Sequence, residues 1–344
     1  MRTCTWAPTV FQGPQIVNRT ATPASIPADR ELRGLTSHLV QQYEQLGITD
    51  LLIAQRWWGS GTDIEGSSLD CLAMTAYFAA VTENINLVTA IHPGFFQPTS
   101  IAKWGATIDQ LTGGRWSINV TSGWNMEEFD MYGIDQLDHD QRYRRSKEFI
   151  EVLNGCWTTP SFSHQGEFYK TSGLRLEPTP TNKLEIFQGG QSPAAMDMAA
   201  SHSDWMFLNG GDLERIKTIV NQVRSRCEQT GRQVQFAMYA APLCRPTDEE
   251  AWREIENMLE QVDQSLLSKR RQRLQAGAQG MWSVDDDALS SLDTNEGHAS
   301  RLIGSPETIL KRIREYQEIG ISMLHLDARD RLFNEAVLPL LTDL

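Results

Sequence analysis

Short apolar runs alternate with amphipathic stretches along almost the whole chain, and this rhythm constrains the fold more than any other feature. The strand candidates are Thr3–Trp6, Asp50–Ala54, Ile85–Ile91, Arg115–Val120, Leu184–Phe187, Asp204–Leu208, Val234–Leu243 and Ser322–Leu326. Between them lie helical patterns such as Ala102–Leu111, Tyr143–Leu153, Leu213–Thr230 and Thr308–Ile319. Alternation of this kind builds a parallel sheet covered by helices. Eight candidates fit a closed (β/α)8 TIM barrel of the α/β class better than an open doubly wound sheet. The 344 residues suffice for one such barrel with insertions. No internal repeat or low-complexity linker marks a boundary, so residues 1–344 read as a single domain.

Two segments break the rhythm, at about 157–180 and 264–300. The first carries Gly166, Gly173, Pro178 and Pro180. The second carries Lys269-Arg270-Arg271 and then Asp285-Asp286-Asp287. Long inserts in compact domains are either functional lids or solvated decoration, and both readings stay open for the second.

The formal net charge of −13 argues against a nucleic-acid partner, because phosphates would be repelled. The five cysteines form no CxxC pair, which fits a reduced, cytoplasmic chain. The N-terminus lacks a secretory apolar region, and no apolar run is long enough to make the membrane a partner. The histidines show no zinc spacing and no HExxH, so no metal site is expected. Walker A, GxGxxG and GxSxG motifs are absent, which weakens nucleotide-domain and serine-hydrolase readings.

Chemistry concentrates at a few strand ends. Asn119, Thr121 and Ser122 gather at the end of the fourth strand, where a barrel builds its active site. After the fifth strand comes Gln188-Gly189-Gly190-Gln191-Ser192-Pro193. Ser192 is a good N-cap and Pro193 suits the first helical position. The free amides and the dipole of such a helix can meet an anion. Read alone, the motif is more simply a tight capped turn without a ligand. Asn125 and Glu128 have capping-box spacing, which gives Glu128 a structural reason as complete as any ligand-facing one. Tyr143 is either a core residue or a hydroxyl that reaches an anion, with Arg142 and Arg145 nearby. His92 ends the third strand and His298 ends the second insert; both can titrate near neutral pH, and for each taken singly a surface or satisfied core histidine is the simpler reading. Ser305-Pro306 and Gly320 bound a well-capped helix before the last strand.

Longer stretches carry a resemblance. They are Thr107–Arg115, Ser122-Gly123-Trp124 with Glu128, Leu137–Ser146, Ile186–Gly190 with Ser192, Ser203-Asp204-Trp205 and Leu302–Pro306. In these the chain resembles the bacterial luciferase-like flavin monooxygenases, and among them the reduced-FMN-dependent sulfone monooxygenases. The resemblance implies a (β/α)8 barrel with FMN at its C-terminal face. It places Gln55, Arg56, Asn119 and Glu128 near the flavin ring, and Arg142, Tyr143, Gly190, Gln191 and Ser192 at the phosphate. The candidates for catalysis are His92 and His298, from their places at a strand end and an insert end, and Trp124; Trp57, Trp58 and Trp124 can wall such a pocket. The resemblance further implies an NAD(P)H-dependent flavin reductase that supplies FMNH2, O2 and a small-molecule substrate as partners, and a homodimer or homotetramer. The sulfonate-cleaving relatives place Arg and His on the strand corresponding to Phe236–Arg245, and this chain has neither there. A neutral or weakly polar organosulfur substrate is therefore expected. A deazaflavin-dependent oxidoreductase and a flavin-binding protein without turnover are the alternatives.

Overall fold

The computed structural model describes residues 1–11, 17, 25–59, 66–277, 287–293 and 295–344. Eight parallel strands close into a barrel: β1 (Arg2–Trp6), β2 (Asp50–Ile53), β3 (Asn86–Ile91), β4 (Trp116–Val120), β5 (Ile186–Gly189), β6 (Trp205–Leu208), β7 (Gln235–Ala240) and β8 (Ile321–Leu326). Each pairs with its sequence neighbours, and the ring closes where Arg2–Thr5 of β1 run beside Met323–Leu326 of β8. Every expected strand region contributes one barrel strand. Two differ most in extent: the fifth runs Ile186–Gly189 rather than Leu184–Phe187, and Val234–Leu243 is shorter than expected. The latter's barrel strand stops at Ala240, and Leu243-Cys244 pair instead with Ile303-Gly304.

Helices α1 (Asp29–Gln45), α2 (Cys71–Val81) and α3 (Pro98–Thr112) follow the first three strands. The short α4 (Met126–Met131) and long α5 (His139–Thr158) follow β4, and α6 (Pro193–His202) and α7 (Leu213–Thr230) follow β5 and β6. Helices α8 (Asp248–Glu260), α9 (Gln264–Gly277) and α10 (Pro306–Ile319) come between β7 and β8, and α11 (Arg331–Ala336) follows β8. Cys4, Leu52, Val88, Phe187, Trp205, Phe207, Ala237 and Met323 fill the inside of the barrel. A larger apolar layer separates the strands from the helices. At the N-terminal end of the barrel Arg2 binds Asp50 at 2.5 Å and Glu185 at 2.9 Å, tying β1 to β2 and to the entry of β5.

The first insert is an antiparallel ribbon, Phe162–Gln165 against Lys170–Leu174. Glu148 of α5 pins it by accepting from the Phe168 and Tyr169 amides at 2.9 and 2.8 Å. The second insert leaves and returns through the Leu243-Cys244 and Ile303-Gly304 pairing. Leu243, Ala251, Ile255, Leu289, Leu292 and Ala299 give it a small apolar core of its own. Asp285 and Asp286 of its acidic run lie outside the described residues, and Asp287 binds Arg301 at 3.0 Å. Among the described residues no helix is long and apolar enough to cross a membrane.

Candidate active site

The loops after β2, β3 and β4 bring three polar side chains together at the C-terminal mouth. Gln55 Oε1 accepts the His92 backbone N–H at 2.6 Å. Glu128 Oε1 accepts the Trp57 backbone N–H at 2.8 Å, and its Oε2 lies 3.4 Å from His92 Nδ1. All three side chains are buried. The 3.4 Å separation is longer than a hydrogen bond to a carboxylate, so the two groups are held adjacent but not locked. Asn119 is also buried and belongs to β4, beside Ala90 of β3 and Phe187 of β5. Its Oδ1 and Gln55 Nε2 have no hydrogen-bond partner among the described residues.

The expected Asn125–Glu128 capping box does not form. Asn125 caps α4, but it accepts from the Glu127 amide at 3.3 Å, while Glu128 turns inward to Trp57 and His92. The capping box forms instead at α5, where Asp138 accepts from the Gln141 amide at 2.8 Å and Gln141 from the Asp138 amide at 3.0 Å. That box fixes the start of α5 and therefore the positions of Arg142, Tyr143 and Arg145 on its first turns.

Tyr143 reaches across to the turn after β5. Its hydroxyl hydrogen-bonds to the Ser192 side chain. Gly190 has a φ of +118°, and a Cβ there would come within 2.8 Å of that hydroxyl. Glycine is thus required twice, by backbone conformation and by the close approach. Ser192 caps α6 by accepting from the Ala195 amide at 3.3 Å. Burial pushes the Tyr143 hydroxyl up from its ordinary value, against the Ser192 hydrogen bond and the Arg142 charge, so it remains a neutral donor. Gln191 accepts from Arg215 Nη2 at 3.4 Å, and the same guanidinium binds Glu296 of the second insert at 3.1 Å. Arg142 and Arg145 are buried, and desolvation pulls both down from the ordinary guanidinium value. Nε and Nη2 of Arg145 have no hydrogen-bond partner among the described residues, and its guanidinium lies 5.8 Å from the Phe129 ring.

Trp58 and Trp124 meet edge to face at 5.6 Å. Trp57 packs against Phe95, Phe96 and Tyr132. Arg56, between these residues and Gln55, is half-buried. His298 is buried elsewhere. Its turn, Gly297–Ser300, packs against Tyr239 and Ala241 at the end of β7, four strands around the ring from β3. Its backbone N–H donates to Asp293 at 3.1 Å. The structure therefore sets His92 beside Glu128 and places His298 on the opposite rim.

With this geometry in view, a family model described as "Luciferase-like monooxygenase" matches residues 20–323. The chain belongs to the luciferase-like monooxygenase family. As a member of it, the protein is 36% identical over 299 residues to an FMNH2-dependent dimethylsulfone monooxygenase of Pseudomonas fluorescens (strain Pf0-1), covering 83% of this chain and 80% of the relative. It is 37% identical over 301 residues to a protein of that description from Pseudomonas putida, covering 83% and 81%. Its fold superposes on a long-chain alkane monooxygenase with a TM-score of 0.78, at 19% identity and covering 99% of this chain and 91% of the other.

Two features of this family member escaped the sequence reading. The inward turn of Glu128 was hidden by the equally good capping pattern. His325, inside β8, sits in an apolar run that carries no local sign of a site. Barrel parity is the signal that finds it, since Met323 two residues earlier belongs to the interior cluster.

Proposed function

We propose that this oxygenase receives reduced FMN from a separate NAD(P)H-dependent reductase and uses O2 to oxidise a small, neutral organosulfur compound. For a sulfone, oxidation at the carbon beside sulfur breaks the C–S bond. One sulfone, one O2 and one FMNH2 give one sulfinate, one aldehyde, FMN and water. The observation that carries the reading is the capped α6 terminus, faced by Tyr143, on the same mouth as the Gln55–His92–Glu128 cluster. The Pseudomonas relatives support the choice of FMNH2 and of a sulfone-type substrate.

The residues fit the flavin. A phosphate suits the Gly190–Ser192 turn, the α6 amides and the Tyr143 hydroxyl, with Arg142 supplying positive charge. A heteroaromatic ring rich in donors and acceptors suits Asn119 Oδ1 and Gln55 Nε2, both buried and without partners among the described residues. Bound reduced FMN supplies the electrons that activate O2. The chain's own residues do the rest. Trp57, Trp58 and Trp124 exclude water from the mouth, which strengthens every polar interaction inside. Trp57 N–H and Gln55 Oε1 hold Glu128 and His92 in place, so a proton can be kept at His92 Nδ1 beside Glu128 Oε2. The interior face of β7, Ala237 and Tyr239, offers no charged group to a sulfonate, which favours a neutral substrate.

Stopped-flow absorbance tests the reading. Anaerobic protein charged with FMNH2 and mixed with O2 is expected to show a bound flavin spectrum unlike that of free flavin, with a decay altered by sulfones. Reoxidation at the rate of free flavin, with no substrate oxidised, sinks it. Tighter binding of a deazaflavin than of FMN moves the assignment to hydride transfer.

A further inference from the structure

His325 lies on the interior face of β8, in register with Cys4 of β1 and Tyr239 of β7. Three rings surround it: Trp6 at 4.7 Å, Tyr239 at 5.0 Å and Phe207 at 5.5 Å between centroids. The imidazole is only 3% exposed, and its Nε2 has no hydrogen-bond partner among the described residues. Trp6, by contrast, is 36% exposed, so this aromatic box has one wall at the surface. In the closed ring β8 lies four strands from β4 in either direction. His325 and Asn119 therefore project into the barrel from opposite sides, each with a polar atom unsatisfied.

A buried nitrogen without a partner costs free energy that Phe or Leu at the same place would not. A residue kept only to fill the core gains nothing from it. Burial also pushes the imidazole down to about 3, against the nearby Asp327 carboxylate, so the ring stays neutral at any ordinary pH. A neutral imidazole offers one N–H donor and no charge. That is a poor partner for a sulfonate, since Arg329, whose charge reaches Tyr239, is already paired with Asp327, and a good one for the oxygen of an uncharged S=O group.

Resting on the organosulfur reading above, we propose that His325 is the substrate-binding residue that fixes specificity: its Nε2–H donates to the oxygen of a small neutral S=O compound whose alkyl groups pack on Trp6, Phe207 and Tyr239. The polar rim of β2–β4 and the aromatic box of β6–β8 and β1 then divide the mouth between cofactor and substrate.

Calorimetric titration of FMN-saturated protein with dimethyl sulfone, and separately with methanesulfonate, tests this. The wild type is expected to bind the sulfone in preference to the sulfonate. His325→Phe is expected to weaken sulfone binding by about tenfold or more, His325→Gln to retain most of it, and FMN affinity to stay within about twofold in both. Equal sulfone affinity in His325→Phe and wild type overturns the assignment. So does an equal fall in FMN affinity, which marks a structural role. Nitrogen NMR of histidine-labelled wild type needs no variant: the His325 Nε2 resonance should move with sulfone and stay put with sulfonate. A resonance unmoved by saturating sulfone overturns the proposal. Failure of the organosulfur reading shows differently, as a wild type that takes up no sulfone at all, and the assignment falls with it.

Discussion

Two helices of this barrel begin alike and end up in different electrostatic company. Both α6 and α10 open with Ser-Pro, and the N-cap serines Ser192 and Ser305 share a φ of −69° and a ψ of 161°. Each follows a glycine of positive φ, Gly190 two residues before Ser192 and Gly304 immediately before Ser305. At α10 the position is filled from within. A Cβ on Gly304 would meet Asp248, whose carboxylate accepts from the Ser305 amide at 2.6 Å and the Thr308 hydroxyl at 2.9 Å. At α6 a Cβ on Gly190 would meet the Tyr143 hydroxyl, a neutral group. One positive helix end carries its own anion. The other, in the function proposed above, takes its anion from outside. The same local sequence thus meets a carboxylate in one place and a neutral hydroxyl in the other, and only residues remote in sequence, Asp248 and Tyr143, tell them apart.

The sharpest way to break this contrast is to give α6 an anion of its own. Ser192→Asp keeps a good N-cap but sets a carboxylate where a phosphate would lie. FMN affinity is expected to fall by about 100-fold or more, since like charges about 4 Å apart near a protein surface repel by about 4 kcal/mol. Thermal unfolding of the flavin-free protein should be unchanged. A variant that still binds FMN tightly would place the phosphate elsewhere. Gly190→Ala is next. Its strained φ and the contact with Tyr143 are expected to cost about 1–3 kcal/mol of stability and to weaken FMN, both readable by denaturation with and without the flavin. Tyr143→Phe removes one donor to a charged group and should weaken FMN about tenfold with little change in stability. Fluorescence titration checks it.

The smallest effect belongs to α10. Asp248→Asn is expected to cost about 1 kcal/mol and to leave FMN binding untouched. The Ser305 amide, with the Ser305 and Thr308 hydroxyls, holds the Asp248 carboxyl below its ordinary value despite some opposing burial. A depressed carboxylate stabilises the fold above its unfolded value, and the benefit disappears as the pH falls through the folded one. The stability gap between wild type and Asp248→Asn should therefore close in acid. A gap that persists at low pH would assign the effect to packing.

The barrel was largely legible because each strand had to be buried and each wrote that requirement into a compact apolar run. The helix starts at Ser192 and Ser305 were equally plain, since capping is a matter of neighbouring residues. The rim was not. Glu128 finds its partners at Trp57 and His92, which arrive from two other loops, and its spacing from Asn125 pointed to a capping box that does not form. The boundary of β7 was set too late because Leu243 is apolar for a different reason, its pairing with Ile303 at the neck of the insert. His325 was passed over because its place inside the barrel follows from register, and register is a property of the closed ring.

The pairing of β1 with β8 also governs how the molecule comes into being. Arg2 lies opposite Met323, so the first strand made has no partner on one edge until the last is made. At roughly 5–20 residues per second, synthesis leaves that edge open for tens of seconds. During that interval an apolar, hydrogen-bond-hungry strand edge is exposed in a crowded solution. An unfinished ring thus presents a pairing edge that the finished one hides.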